Sequence, residues 1–134
     1  MKFKNGKHGK ITAYVSQLME QDFEYGVNDC HLLAIGVLDI IADTNHLATY
    51  KGKYSTAKEG LKYAKTTDYP MLEDLCKAYG DTVDVPSEGD IIINSSNSTI
   101  FWLGKIVVLN ELNKKYQLEK YDPTDGMKYY RIRE

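Results

Sequence analysis

Apolar residues in the first half of the chain recur at helical spacing. In the segment 11–21 they fall at i, i+3, i+4, i+7 and i+8, the positions that share one stripe of an α-helix. The segment Cys30–Ala42 is apolar almost all the way round, a pattern typical of a buried central helix. Asn28 or Asp29 can serve as its N-cap. These patterns predict an amphipathic helix followed by a core helix.

Two shorter helices are predicted between residues 55 and 80. Ser55 or Thr56 can cap a helix that begins at residue 57. Another helix follows Pro70, a residue favoured in the first turn, and ends at Gly80, a residue favoured at helix C-termini. The helical half of the sequence therefore ends near residue 80.

Beyond residue 85 the period changes from that of helices to that of strands. β-branched and aromatic residues alternate or run together, and turn residues separate the runs. The strand-like runs are 91–93, 98–103, 105–111, 115–122 and 127–133. We expect a single α+β domain over residues 1–134, with N-terminal helices on one face of a four- or five-stranded antiparallel sheet. Residues 1–9 are expected to form a flexible basic tail.

Composition and charge narrow the classes of function. The net charge of −2 gives no electrostatic reason to expect binding to nucleic acid or to an anionic membrane. The longest apolar run, 31–42, is too short to span a bilayer, and the charged N-terminal segment lacks the apolar core of a signal peptide. The sequence has 11 Tyr against 3 Phe and 1 Trp, which suits wet protein interfaces and equally a Tyr-rich sheet. We expect synthesis in a cytosol.

Cys30 is the first candidate for chemistry. It closes the stretch YGVNDC at a predicted helix N-terminus, where unpaired N–H groups and the helix dipole favour the nucleophilic thiolate. The alternative is that Cys30 packs as a small apolar residue, because free cysteine is among the most buried residue types. The second cysteine, Cys76, lies in another segment without CxxC spacing. No metal site and no cofactor are predicted.

A cysteine nucleophile also needs a base, normally a histidine. The three histidines are His8, His31 and His46. His31 is the next residue on the same helix, about 100° round from Cys30, so its ring is expected to point elsewhere. His46 lies beyond the far end of that helix, about 20 Å away, and His8 lies in the expected tail. The strand half of the sequence contains no histidine.

The turn and the helix after it resemble those of NlpC-like proteins of the papain fold, and more specifically the small phage-encoded relatives among tail and virion-assembly genes. Gly26, Asp29 and Cys30 match the turn and the nucleophile of that superfamily. Gly89 and Asp90 match the Gly-Asp turn that leads into its strand. The resemblance covers roughly residues 10–110 and implies a papain-like, NlpC-type domain.

One strand departs from the family pattern. STIFWLG, residues 98–104, matches the histidine-bearing strand in length and in its closing Leu-Gly, but Ser98 stands where the histidine is expected. A serine hydroxyl is not basic near neutral pH and cannot take the proton of a thiol. The third polar position of the family has no clear counterpart, and Asn110 and Glu111 are the nearest residues.

The resemblance and the missing histidine imply a catalytically inactive papain-fold protein. Such a pseudo-enzyme would be a structural or assembly component of a bacteriophage particle, in the tail or head–tail region. It would act by protein–protein contacts with other phage structural proteins in an oligomeric assembly, first in the host cytoplasm and then in the virion.

Two alternatives remain. The first is a cysteine peptidase or amidase on cell-wall peptide, with Cys30 as nucleophile and an unconventional or partner-supplied base. The second is a small host-interacting or regulatory module with no role in the virion.

Overall fold

The computed structural model describes residues 3–95 and 97–134, with helices first and strands afterwards. The helices are α1 (Lys7–Glu20), α2 (Cys30–Ala42), α3 (Leu47–Tyr50), α4 (Ala57–Ala64) and α5 (Leu72–Tyr79). The strands are β1 (Gly80–Val83), β2 (Ile91–Asn94), β3 (Asn97–Trp102), β4 (Lys105–Asn110), β5 (Lys115–Lys120) and β6 (Lys128–Ile132). The predicted α+β class is confirmed.

The six strands of the described ranges form one antiparallel sheet in the order β1-β6-β2-β3-β4-β5. The prediction of four or five strands was therefore too low. The unexpected strand is β1, which follows α5 directly and pairs with β6 from Gly80↔Ile132 to Val83↔Tyr129. Its two middle residues are polar and exposed, so the strand lacks the hydrophobic alternation that marks strands in a sequence.

The first helix begins earlier than its apolar stripe indicates. Residues 1–9 were expected to form a flexible basic tail, but residues 7–9 form the first turn of α1, while residues 1 and 2 lie outside the described residues. Lys7 is buried, and its ammonium donates to the carbonyl of Ile41 at 2.7 Å and to the carboxylate of Asp43 at 3.0 Å. These bonds hold the start of α1 against the C-terminal end of α2, where a positive charge is favourable.

Helix α2 is the centre of the core, as its apolar sequence predicts. Leu32, Leu33, Val37 and Leu38 are fully buried, and α2 contacts α1, α3, α5, β3 and β6. Its close contact with β3 brings the first turn of the helix to the middle of the sheet. The fold therefore places the candidate nucleophile beside the strand on which the resemblance expects a base.

A glycine sets how closely α1 and α2 approach. The ring of Tyr14 lies against Gly36, and a Cβ added at that glycine would overlap the ring. The Tyr14 hydroxyl donates to the carbonyl of Leu32 at 2.8 Å. This contact fixes the position of α1 relative to the beginning of α2.

Candidate functional site

The turn before Cys30 is built by local hydrogen bonds. Gly26 adopts the left-handed region at φ +82°, and a Cβ at this position would overlap the carbonyl group of Tyr54. Asn28 is buried, accepts from the N–H of Glu24 at 2.7 Å and donates to the carbonyl of Asp22 at 2.9 Å. The segment therefore has a defined shape before the helix begins.

Asp29 joins this turn to α2 and to the loop before α4. Its buried carboxylate accepts from the N–H of Leu32 at 3.1 Å, which makes it the N-cap of α2. It also accepts from the N–H of Gly26 at 2.9 Å and from the hydroxyl of Tyr54 at 2.6 Å. Of the two residues that could cap this helix, Asp29 does so, and its three bonds account for its presence without any role in catalysis.

Cys30 is the first residue of α2, the position predicted for a thiolate-favouring site. Its side chain is partly buried and lines a cavity of about 470 Å³. No residue in the described ranges forms a hydrogen bond with its thiol, and no imidazole pairs with it. The other cysteine, Cys76, is buried, and burial raises the pKa of its thiol to about 12.

The imidazole of His31 is bonded to Ser98. The Nδ1 atom of His31 lies 2.9 Å from the hydroxyl oxygen of Ser98, and both residues line the same cavity as Cys30. Burial lowers the pKa of His31, and the nearby carboxylate of Asp29 opposes that shift only in part, so the ring is neutral at pH 7. Ser98, at the strand position where a histidine was expected, is therefore in contact with a histidine that belongs to α2.

This pairing was not foreseen from the sequence. The helical period places the His31 ring about 100° round from Cys30, but it does not show that α2 turns the ring towards β3 or that both side chains line one cavity. His31 and Ser98 are 67 positions apart, so only the packing of the helix on the sheet brings them together. Tyr54, which bonds Asp29, was also missed because its partner is 25 positions away.

Exposed apolar side chains surround the mouth of the cavity. Tyr25, Leu61 and Met71 line it and are 43%, 60% and 62% exposed. They come from the turn before α2, from α4 and from the segment that leads into α5. An apolar opening therefore leads to a wall that carries a thiol, an imidazole and a hydroxyl.

The predicted Gly-Asp turn before β2 is structural. Gly89 has φ +86° and packs beside Phe3, and Asp90 is buried. The carboxylate of Asp90 accepts two bonds from the guanidinium of Arg131, at 2.7 and 3.1 Å, and one from the N–H of Ser87 at 2.7 Å. These contacts tie the turn to β6, and neither Gly89 nor Asp90 lines the cavity.

The other sequence candidates lie away from the cavity. His8 packs against Trp102 with ring centroids 4.7 Å apart, and His46 packs among tyrosines beyond the C-terminal end of α2. Asn110 ends β4 and holds the exposed turn to β5, where its side chain accepts from the N–H of Leu112 at 2.9 Å. None of these side chains contributes to the cavity wall.

Two further properties concern metals and membranes. Within residues 3–95 and 97–134, no three His, Cys, Asp or Glu side chains come together as metal ligands would. In the same ranges no helix has the length and apolar character needed to cross a bilayer.

Comparison with known proteins assigns the chain to a family. A family model described as a domain of unknown function (DUF6950) matches residues 5–127, nearly the whole sequence. Neither the comparison with curated proteins nor the comparison with solved structures gave a match. The chain belongs to the DUF6950 family.

Proposed function

We propose that this protein is a papain-like, NlpC-type domain without peptidase activity, and that it is a structural or assembly component of a bacteriophage particle. It would act through protein–protein contacts with other phage structural proteins in an oligomeric assembly. Its place would be the host cytoplasm during synthesis and the virion, in the tail or head–tail region, afterwards.

The observation that carries this proposal is the partner of the His31 imidazole. A thiol nucleophile is activated when an imidazole takes its proton, which requires the two groups within hydrogen-bond reach. The Nδ1 atom of His31 is bonded to Ser98, and within the described ranges neither ring nitrogen of His31 is bonded to the thiol of Cys30. This geometry supports a cavity that resembles a cysteine-enzyme site but lacks proton transfer from the thiol to an imidazole.

Other observations support the papain-like assignment. A buried helix that begins at a cysteine packs on β3, the strand where the resemblance expects the base. The order of helices before an antiparallel sheet also agrees with the resemblance. The exposed apolar side chains at the cavity mouth favour action through protein contacts.

The rate of Cys30 alkylation tests the loss of chemistry. The full chain and the peptide FEYGVNDCH are treated with iodoacetamide between pH 5 and 9, and modification is followed by mass spectrometry. Cys76 is buried and should stay unmodified, and a Cys30→Ser variant confirms the site of labelling. We expect Cys30 to react no faster than the peptide thiol at every pH. A faster reaction that persists at pH 5 would show an activated thiolate and refute the proposal.

Mass spectrometry of purified particles tests the phage role. Particles from the strain that carries this gene should contain the chain at a constant copy number, comparable with that of other structural proteins. Particles that contain no copies after gradient purification would refute the structural role.

A cysteine peptidase or amidase acting on cell-wall peptide is the second candidate. It is favoured by one observation, that Cys30 and His31 line the same cavity. The Nε2 atom of His31 forms no hydrogen bond in the described ranges, and it would have to come within hydrogen-bond reach of the thiol to act as a base. Cleavage of muropeptides by the purified chain, abolished by Cys30→Ser in a variant that still assembles, would establish this function in place of the first.

A further inference from the structure

The apolar side chains at the cavity mouth are concentrated there and not scattered. In the described part of the chain six large hydrophobic side chains are exposed, and three of them, Tyr25, Leu61 and Met71, line this one cavity. Three separate chain segments supply them. Single exposed apolar residues are ordinary, but a cluster around a cavity marks a binding surface.

The charge of the wall restricts what can bind. The chain contains 17 Lys and Arg residues, and none of those within residues 3–95 and 97–134 lines the cavity, whereas Asp29 and Glu73 do. The Asp29 carboxylate is occupied by its three hydrogen bonds. Glu73 accepts from the hydroxyl of Tyr130 and pairs with the ammonium of Lys128 at 3.1 Å. An acidic ligand would therefore meet no cation in the wall and two carboxylates.

The polar groups that remain are uncharged. His31 uses Nδ1 for its bond to Ser98, and within the described ranges its Nε2 forms no hydrogen bond. The Nε2 atom of a neutral imidazole can form one hydrogen bond with a peptide group: it accepts from an N–H, or it donates to a C=O when it carries the proton. A largely apolar cavity of about 470 Å³ with a few polar groups has the size and character of a ligand pocket.

We propose that this cavity is a docking site for an extended segment of a partner protein that is free of acidic residues and inserts an uncharged apolar side chain between Tyr25, Leu61 and Met71. The segment lies against the cavity wall that carries Cys30, His31 and Ser98, and the chain binds it without cutting it. This inference rests on the proposed function, because it specifies the chemistry of the partner at the same site.

Disulfide tethering at Cys30 tests the docking site with the full chain. The chain is equilibrated with disulfides that deliver a phenylethyl, a propionate or an aminoethyl group, and intact mass is followed as 2-mercaptoethanol is increased. Buried Cys76 should not react. Burial of a phenyl group stabilises its adduct, so this adduct should survive about tenfold more reductant than the propionate adduct. A propionate or aminoethyl adduct at least as stable as the phenylethyl adduct overturns the proposal.

Rim variants show whether the preference comes from this cavity. Leu61→Asp places a carboxylate at the mouth and should abolish most of the phenylethyl preference. Leu112→Asp is the matched control, because Leu112 is 97% exposed and does not line the cavity. Circular dichroism melts establish that both variants are folded. An unchanged preference in folded Leu61→Asp, or an equal loss in Leu112→Asp, contradicts the proposal.

The oligomeric state distinguishes a partner protein from a second copy. The chain should be monomeric by light scattering at micromolar concentration, with and without the tethered phenylethyl group. A dimer that dissociates when the group is attached would identify a second copy as the occupant and refute docking of another protein. If the chain is absent from purified particles but prefers the phenylethyl adduct in tethering, the phage role is refuted and the docking site is still supported.

Discussion

Replacing Asp29 by alanine should lower the free energy of unfolding by about 3 to 7 kcal/mol. Loss of the N-cap of α2 costs about 1 kcal/mol. The N–H of Gly26 and the hydroxyl of Tyr54 also lose their acceptor, and a buried donor left unpaired costs about 1 to 3 kcal/mol. Asp29 is only 3% exposed, so water cannot easily take the place of the carboxylate. The sum is large for a single substitution.

Two further variants divide that loss into its parts. Asp29→Ser keeps an oxygen that can accept from Leu32, but its side chain is too short for Tyr54, so its loss should be intermediate. Tyr54→Phe removes one hydroxyl and should cost about 1 kcal/mol. Asp125→Ala is the control, because Asp125 is exposed, and it should change stability by less than about 0.5 kcal/mol.

Urea denaturation followed by circular dichroism provides the measurement. Equal slopes across the variants are required, since a changed slope indicates a changed unfolded state. The reasoning is refuted if Asp29→Ala lies within about 1 kcal/mol of the parent, because the cap alone is expected to be worth that much. It is also refuted if Asp29→Ser is as stable as the parent, since the bond to Tyr54 would then contribute nothing.

Three further predictions concern packing, pH and an ion pair, and urea denaturation tests each. Gly36→Ala should destabilise by about 1 to 3 kcal/mol because the methyl group overlaps a tyrosine ring, whereas Gly9→Ala, with nothing within 4 Å, should be neutral or stabilising. Burial keeps the pKa of His31 below its ordinary 6.5, so the contribution of His31 to stability is complete above pH 6.5 and is lost as the pH falls below that value. His31→Gln should therefore flatten the dependence of the free energy of unfolding on pH in this range. Arg131→Met should cost about 3 kcal/mol because it removes the cationic partner of a carboxylate with 2% exposure, whereas Arg133→Met, from an exposed pair, should cost less than about 1 kcal/mol. An equal cost within either matched pair, or an unchanged pH slope in His31→Gln, would contradict the corresponding prediction.

The parts of the fold that were predicted correctly are those in which local signals agree. Helix α2 begins and ends where the sequence predicts, because the capping Asp29 and a continuous apolar run indicate the same boundaries. Thr56 likewise caps α4, as one of the two expected residues. The missed elements have no such agreement: α3 has only four residues, and β1 is short and polar.

The missed contacts depend on distant parts of the chain. Lys7 resembles a solvated lysine in sequence, but it bonds residues 34 and 36 positions away. The bond between His31 and Ser98 spans 67 positions and depends on how far α2 is rotated relative to β3. A helical period gives the angle between neighbouring side chains on one helix and leaves that rotation undetermined. The presence of Cys30 at the helix start was predictable, and the environment of its thiol was not.

The hydrogen bonds of the turn decide which variants can reveal function. Gly26 is required by its backbone conformation, and Asn28 and Asp29 by their buried bonds, so substitutions there weaken the fold whether or not the protein has a catalytic role. A loss of activity or assembly in such variants would therefore report unfolding. Cys30 is different, because its thiol is partly exposed and no hydrogen bond in the described ranges holds it. His31 can likewise be exchanged for glutamine, which retains hydrogen-bonding groups but cannot act as a base at neutral pH. Cys30→Ser and His31→Gln are thus the substitutions that separate chemistry from structure, and a pseudo-enzyme should keep its assembly function in both.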